Sequence, residues 1–223
     1  MQTATMRKYE ADAIHGGLTQ TSKMPCKSYS TPTDLCVTGF KMAKMPGSIC
    51  STCYATKGFY SMYAATIEPA QHARYEAMLY DPHWVEAMVA SISNDPYFRW
   101  FDSGDIPSLY ALERIVEVCL ATPAVRHWLP TREYGTVVAY IKKHGKDSLP
   151  HNLVIRLSAM YPDRPATVPL SLQGVPGVLV SNVHSKNSTP VGSVCGANKR
   201  GGKCGPCRDC WDRGVQVVSY PKH

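Results

Sequence analysis

With 223 residues the chain is long enough to bury a hydrophobic core without covalent staples, and short enough that one domain is expected. Charged residues make up 18% and the net charge is +7, a basicity too modest to identify a nucleic-acid-binding protein by itself. No apolar run approaches the roughly 18 residues of a membrane span, and the opening MQTATMRKYEADAIHGG lacks the apolar stretch of a secretion signal, so no membrane partner and a cytoplasmic location are expected.

The positive charge is unevenly placed. Residues 1–60 carry seven Lys or Arg against three acids and residues 195–223 carry six against two, while the long middle is close to neutral. Eight of the nine cysteines lie in those two basic ends: Cys26, Cys36, Cys50 and Cys53 in the first, Cys195, Cys204, Cys207 and Cys210 in the second. In a reducing compartment such sets indicate metal or redox chemistry rather than a disulfide framework.

In chain order, residues 1–60 are broken by Pro25, Pro32, Pro46, Gly39, Gly47 and Gly58 and read as an irregular lobe. An α/β core is expected over 61–185. It starts with a helix from about Ile67 to Leu79 and a second in DPHWVEAMVASISN, where Asp81 can cap and Pro82 suits the first position. Then come a strand in YFRWFDSGD, a helix in SLYALERIVEVCLA, a strand in VRHWLPTR, a helix in YGTVVAYIKKHG, and strands in NLVIRLSAM and GVLVSNVH. Cys119 falls on the apolar stripe of its helix and reads as core. Residues 186–223 form a cysteine-rich tail. The alternation predicts a single-domain α/β protein with a largely parallel sheet or partial barrel and flanking helices.

Each predicted strand ends in polar residues: Asp102, Ser103 and Asp105, then Thr131 and Arg132, then Arg156 and Ser158, then Asn182 and His184. The carboxyl ends of parallel strands form the ligand-binding edge of such sheets, so these residues are expected to ring one pocket. Asp102, Asp105, Arg132 and His184 are the catalytic candidates, and Arg156 is a candidate for holding substrate or cofactor. The carboxylates suit acid and base chemistry, cation binding or salt bridges to the arginines, and the sequence leaves the three open.

In the tail, KCGPCRDC is a CxxCxxC run that lets one loop hold three corners of a cubane cluster, with Cys195 as a fourth ligand. A [4Fe-4S] cluster is therefore the leading cofactor, and Cys50 and Cys53 serve either a second centre or the same one. Zinc is the alternative, in a ribbon pairing Cys50 and Cys53 with Cys207 and Cys210. His184 and the terminal His223 are further candidate ligands.

The combination of KMPGSICSTCYATKGFY, FRWFDSGDI, HWLPTRE and KCGPCRDCWDRGVQVVSYPKH resembles the gene-product-eighty-eight-like family of phage proteins from about Ser22 onward. The resemblance implies a phage-encoded protein of the bacterial cytoplasm with an iron-sulfur cluster, and it directs attention to Cys50, Cys53, the tail cysteines, Arg99, Asp102 and Asp105. A looser resemblance is to radical S-adenosylmethionine enzymes, which place a cysteine loop after an early strand of a partial barrel. Their CxxxCxxC triplet is absent here. The expected function is a redox enzyme or electron carrier acting with a small molecule or redox partner. The alternative is a zinc-stabilised protein that binds nucleic acid.

Overall fold

The computed structural model describes residues 6–222, so the candidate ligand His223 lies outside the described residues. Its strands are β1 (Lys27–Tyr29), β2 (Tyr97–Trp100), β3 (Arg126–Thr131), β4 (Leu153–Ser158), β5 (Val178–His184), β6 (Ser193–Val194) and β7 (Val217–Pro221). Among the described residues they form one seven-stranded sheet in the order β1-β2-β3-β4-β5-β7-β6, parallel throughout. The helices are α1 (Lys8–His15), α2 (Val37–Ala43), α3 (Phe59–Met62), α4 (Ala64–Tyr80), α5 (Trp84–Ile92), α6 (Leu109–Ala121) and α7 (Tyr134–His144).

Alternate residues along the strands divide the molecule into two layers. Phe98, Trp100, Leu129, Ile155, Leu157 and Val178 face the main core, where they meet Trp84, Met88 and Ile92 of α5, Leu112 and Ile115 of α6, and Val137 and Ile141 of α7. Cys119 is fully buried in this core, as its place on the α6 stripe implies. Tyr97 and Trp128 point the other way and pack with Trp211, Cys210 and Tyr220 in a second, smaller core. The cysteine-rich segment therefore covers the face of the sheet opposite the helices.

Local chemistry agrees with these elements. The Ser108 hydroxyl accepts from the backbone of Ala111 at 3.1 Å and caps α6, and α7 stops at Gly145, in the left-handed half of backbone space (φ 93°). Helix α4 starts earlier than expected, at Ala64, with Pro69 inside it.

The first 60 residues are more ordered than their prolines suggest. Arg7 and Glu10 form a capping box at the start of α1. β1 has only three residues, and its position is set by burial: Tyr29 is fully buried, and its hydroxyl accepts from Trp84 Nε1 at 3.0 Å and lies 2.6 Å from the Arg74 carbonyl. The cysteine run at the other end is a loop between β6 and β7, not a free tail, because the chain returns to the sheet after Cys210.

Candidate functional site: two sets of thiols on one parallel sheet

The connection after β1 leaves from the carboxyl edge of the sheet and carries Cys36, Cys50 and Cys53. Cys36 sits at the N-terminal cap of α2, and Cys50–Thr52 is a 3-10 turn that packs on that helix. A Cβ at Gly39 would stand 2.8 Å from Cys36 Cβ, 3.5 Å from its Sγ and 3.9 Å from Cys50 Sγ, so the glycine leaves room for the two sulfurs to converge.

Three anchors, one beside each cysteine, tie this loop to three strand ends. Two residues after Cys36, the backbone and hydroxyl of Thr38 donate to the Glu133 carboxylate past β3, at 2.6 and 2.7 Å. Just before Cys50, the Ile49 N–H donates to the Met160 carbonyl past β4 at 3.0 Å. Just after Cys53, the Tyr54 hydroxyl donates to the Asp102 carbonyl past β2. Held by three strands, the thiols are positioned by the sheet and not by the loop alone.

The strand ends beneath the loop carry two unlike carboxylates. Asp105 accepts from the Ile106 and Arg132 backbones, each at 2.8 Å, and from the Thr131 hydroxyl at 2.6 Å. Burial outweighs these donors and raises its pKa to about 6, with Glu133 adding to the rise. Such a group can hold or release a proton near neutral pH. Asp102 is 3% exposed and accepts from the Tyr60 hydroxyl at 3.0 Å through Oδ2, whereas its Oδ1 is buried without a partner. The Thr31 hydroxyl, past the adjacent β1, is also buried and unpartnered. Phe101, which turns the chain into Asp102, adopts a left-handed conformation (φ 52°), and Gly104 (φ 80°) lies so close to Thr31 that a Cβ there would overlap the Thr31 hydroxyl and carbonyl. Strained backbone and orphaned polar atoms at strand ends are features that ligand-binding edges share.

The second set combines the tail with the start of the chain. Cys195 directly follows β6 and donates its N–H to Ser219 of β7 at 2.9 Å, and the Cys204 N–H donates to the Lys23 carbonyl at 3.0 Å, which draws the loop to Cys26. Cys210 Sγ lies 3.2 Å from the Tyr220 hydroxyl. Arg156, fully buried on β4, donates to the carbonyls of Asp209, Cys210, Asp212 and Val215 at 2.7–3.0 Å and of Val180 at 3.3 Å. Trp211 Nε1 donates to the Phe98 carbonyl at 2.8 Å.

Six of these thiols, Cys26, Cys36, Cys50, Cys204, Cys207 and Cys210, resist ionisation. Burial raises the pKa of Cys36 and Cys50, and for Cys36 the carboxylate of Asp105 and the thiols of Cys53 and Cys50 add to it, while Arg132 partly relieves Cys50. Burial pushes Cys26 and Cys210 up to about 12, with Arg99 lowering and Cys204 raising the first. Cys204 and Cys207 are also raised, first by burial. Groups of soft donors that repel one another as thiolates are stabilised by a shared cation, and binding would release their protons. Among the described residues, no three His, Cys, Asp or Glu side chains are arranged to hold a single metal ion. The donors of both sets are all thiols, the soft ligands that iron-sulfur clusters and zinc both take.

Arg99 stands between the sets. Its guanidinium lies 4.6 Å from the Trp128 ring centroid, 3.2 Å from Met24 Sδ and 3.4 Å from the Tyr54 hydroxyl. Burial works against its charge, but Tyr54, Asp102 and Tyr220 more than offset this, and the group stays cationic. The other sequence candidates are distributed as follows. Arg132 donates from Nε to the Ala159 carbonyl at 3.1 Å, near Cys50. His184 turns to the Ser219 hydroxyl at 2.7 Å, at the β5 and β7 end of the sheet. Arg156 directs its donors to the tail carbonyls. From the sequence, Cys26 and Cys36 could join a second cluster, share one with the tail or stay free thiols, and Tyr54, Tyr60 and Glu133 stand in no motif of their own. The gaps of thirteen and two residues between Cys36, Cys50 and Cys53 match no common ligand spacing, and only the fold brings them together.

No curated protein matches the chain, and no solved structure does. The family model for Gene product 88 matches residues 3–213, nearly the whole length, and the chain belongs to that family.

Proposed function

We propose that the protein is a phage-encoded iron-sulfur redox enzyme with two centres on one sheet. Cys36, Cys50 and Cys53 would hold the first, and Cys26, Cys195, Cys204, Cys207 and Cys210 supply the thiols for the second. The observation that carries this reading is the three-point anchoring of Cys36, Cys50 and Cys53 above the carboxyl edge of the sheet. A cubane with three protein thiolates keeps one iron open, and so supplies both one-electron chemistry and a place for a substrate atom. The five thiols of the second set can complete a closed centre, suited to passing electrons from a redox partner.

The chain's own residues define what surrounds such a substrate. Asp105 can accept or return a proton near pH 6. Asp102 Oδ1 offers a buried acceptor to a ligand N–H or O–H. Arg132, beside Cys50, offers positive charge to an anionic group. A bacterial host cytoplasm would supply the reducing conditions these thiols need.

The grouping favours this reading over a zinc ribbon, because Cys50 and Cys53 cluster with Cys36 and the tail cysteines with Cys26. Anaerobic purification with visible spectroscopy and metal and sulfide analysis tests it. A brown protein with iron and acid-labile sulfide is expected, and a colourless zinc protein would overturn it.

A further inference from the structure

Beside the first cysteine set, the surface has a composition that the metal reading does not use. Residues 35–67 contain no Asp or Glu, but they contain Lys41, Lys44 and Lys57. The same stretch supplies half of the large exposed apolar side chains among the described residues: Val37, Phe40, Met45, Tyr54, Phe59, Met62 and Tyr63. Phe59 and Tyr63 are 72% and 54% exposed, and their rings are parallel within 5° at a centroid separation of 6.2 Å. Tyr54 is 57% exposed, and it lines a cleft of about 440 Å³ with Thr52, Lys57, Gly58 and, from beyond β7, Lys222. None of the ion pairs among the described residues uses Lys41, Lys44, Lys57 or Lys222.

Exposed aromatic faces beside cations without acidic partners suit a polyanion that itself carries π-faces. We propose that this surface binds single-stranded nucleic acid, with bases stacking on Tyr54, Phe59 and Tyr63 and phosphates meeting Lys57 and Lys222. A duplex hides its base faces in its own stack, and an acidic protein would match the lysines but not the parallel rings. Because Tyr54 follows Cys53, a strand in the cleft runs past the thiol edge. The inference goes beyond the cluster assignment and needs no metal.

Fluorescence anisotropy with a labelled oligothymidylate of about fifteen nucleotides, on the purified full chain at low salt, tests it. Binding is expected, with affinity falling as salt rises. Phe59→Ala with Tyr63→Ala should weaken it about tenfold to a hundredfold. Lys57→Ala with Lys222→Ala should flatten the slope of log affinity against log salt by about 1.4. Lys142→Ala with Lys146→Ala, on and just beyond α7, should leave binding unchanged. No binding at low salt, equal binding of duplex or polyglutamate, or indifference to the aromatic pair would each overturn the proposal. So would loss of a self-associated dimer as the sole effect of the aromatic pair. Iron and sulfide are measured on the same preparations, so failure of this surface is read separately from failure of the metal assignment.

Discussion

Replacing Arg156 with methionine tests how the cysteine-rich loop is held on the sheet. The guanidinium makes five bonds to carbonyl oxygens, four of them in residues 209–215, from a fully buried site. Hydrogen bonds of this kind contribute about 1 kcal/mol each net, or more when one partner is charged. Asp212 is exposed and Val215 half-buried, so their carbonyls can return to water once the loop loosens. Discounting those two leaves a loss of about 3–4 kcal/mol, since methionine restores only the apolar contacts of the stem. With a urea m-value of about 2–3 kcal/mol/M, the unfolding midpoint should fall by about 1.5 M. Arg156→Lys should recover little of this, because an ammonium cannot reproduce the planar fork. Thiol labelling of metal-free protein should show Cys210 reacting much faster in the methionine variant. A midpoint within about 0.3 M of the parent, with Cys210 still protected, would refute the idea that Arg156 clamps the loop.

Two further outcomes follow from the geometry. Glu133→Gln removes the charge that holds Thr38, at a local cost of about 1–2 kcal/mol, so iron should leave the first centre about tenfold faster while the urea midpoint hardly moves; unchanged release kinetics would contradict the anchoring argument. His127 is fully buried, and burial lowers its pKa to about 3. Between the unfolded value near 6.5 and that value the unfolded chain binds a proton that the folded chain refuses, so stability is lost as pH falls through this window, by about 3 kcal/mol at pH 4. His127→Gln should reduce the slope of stability against pH between 4 and 6 by about 1.4 kcal/mol per pH unit, and an unaltered slope would show that His127 does not titrate as described.

The sheet was legible in the sequence where strands and helices are long and apolar. Periodicity located β2 to β5 and α5 to α7, and the polar residues after them lie at one edge of a parallel sheet, as strand direction requires. β1, β6 and β7 were not legible, because three residues such as Lys27, Ser28 and Tyr29 have no periodicity of their own and become a strand only by pairing with β2. That omission hid the main feature of the site. Without β1 there is no reason to see Cys36, Cys50 and Cys53 as a loop leaving the first strand, and without β7 the run from Cys195 to Cys210 looks like an end of the chain. The partnership of Cys26 with Cys204 was equally out of reach, since it depends on residues some 180 apart meeting across one face of the sheet. Arg156 shows the opposite limit. Its residue type suggested a ligand, yet a buried guanidinium surrounded by carbonyls serves packing as readily as binding.

Iron and sulfide counted per chain after anaerobic purification, in the parent and in Cys53→Ser and Cys204→Ser, test whether the thiols form two separate iron-sulfur centres. The parent should carry about eight irons, and each variant should keep about four, with distinct electron paramagnetic resonance signals remaining in the two cases. Loss of all iron from both variants would mean one shared centre, and unchanged iron in either would mean that its cysteine set is not a cluster site.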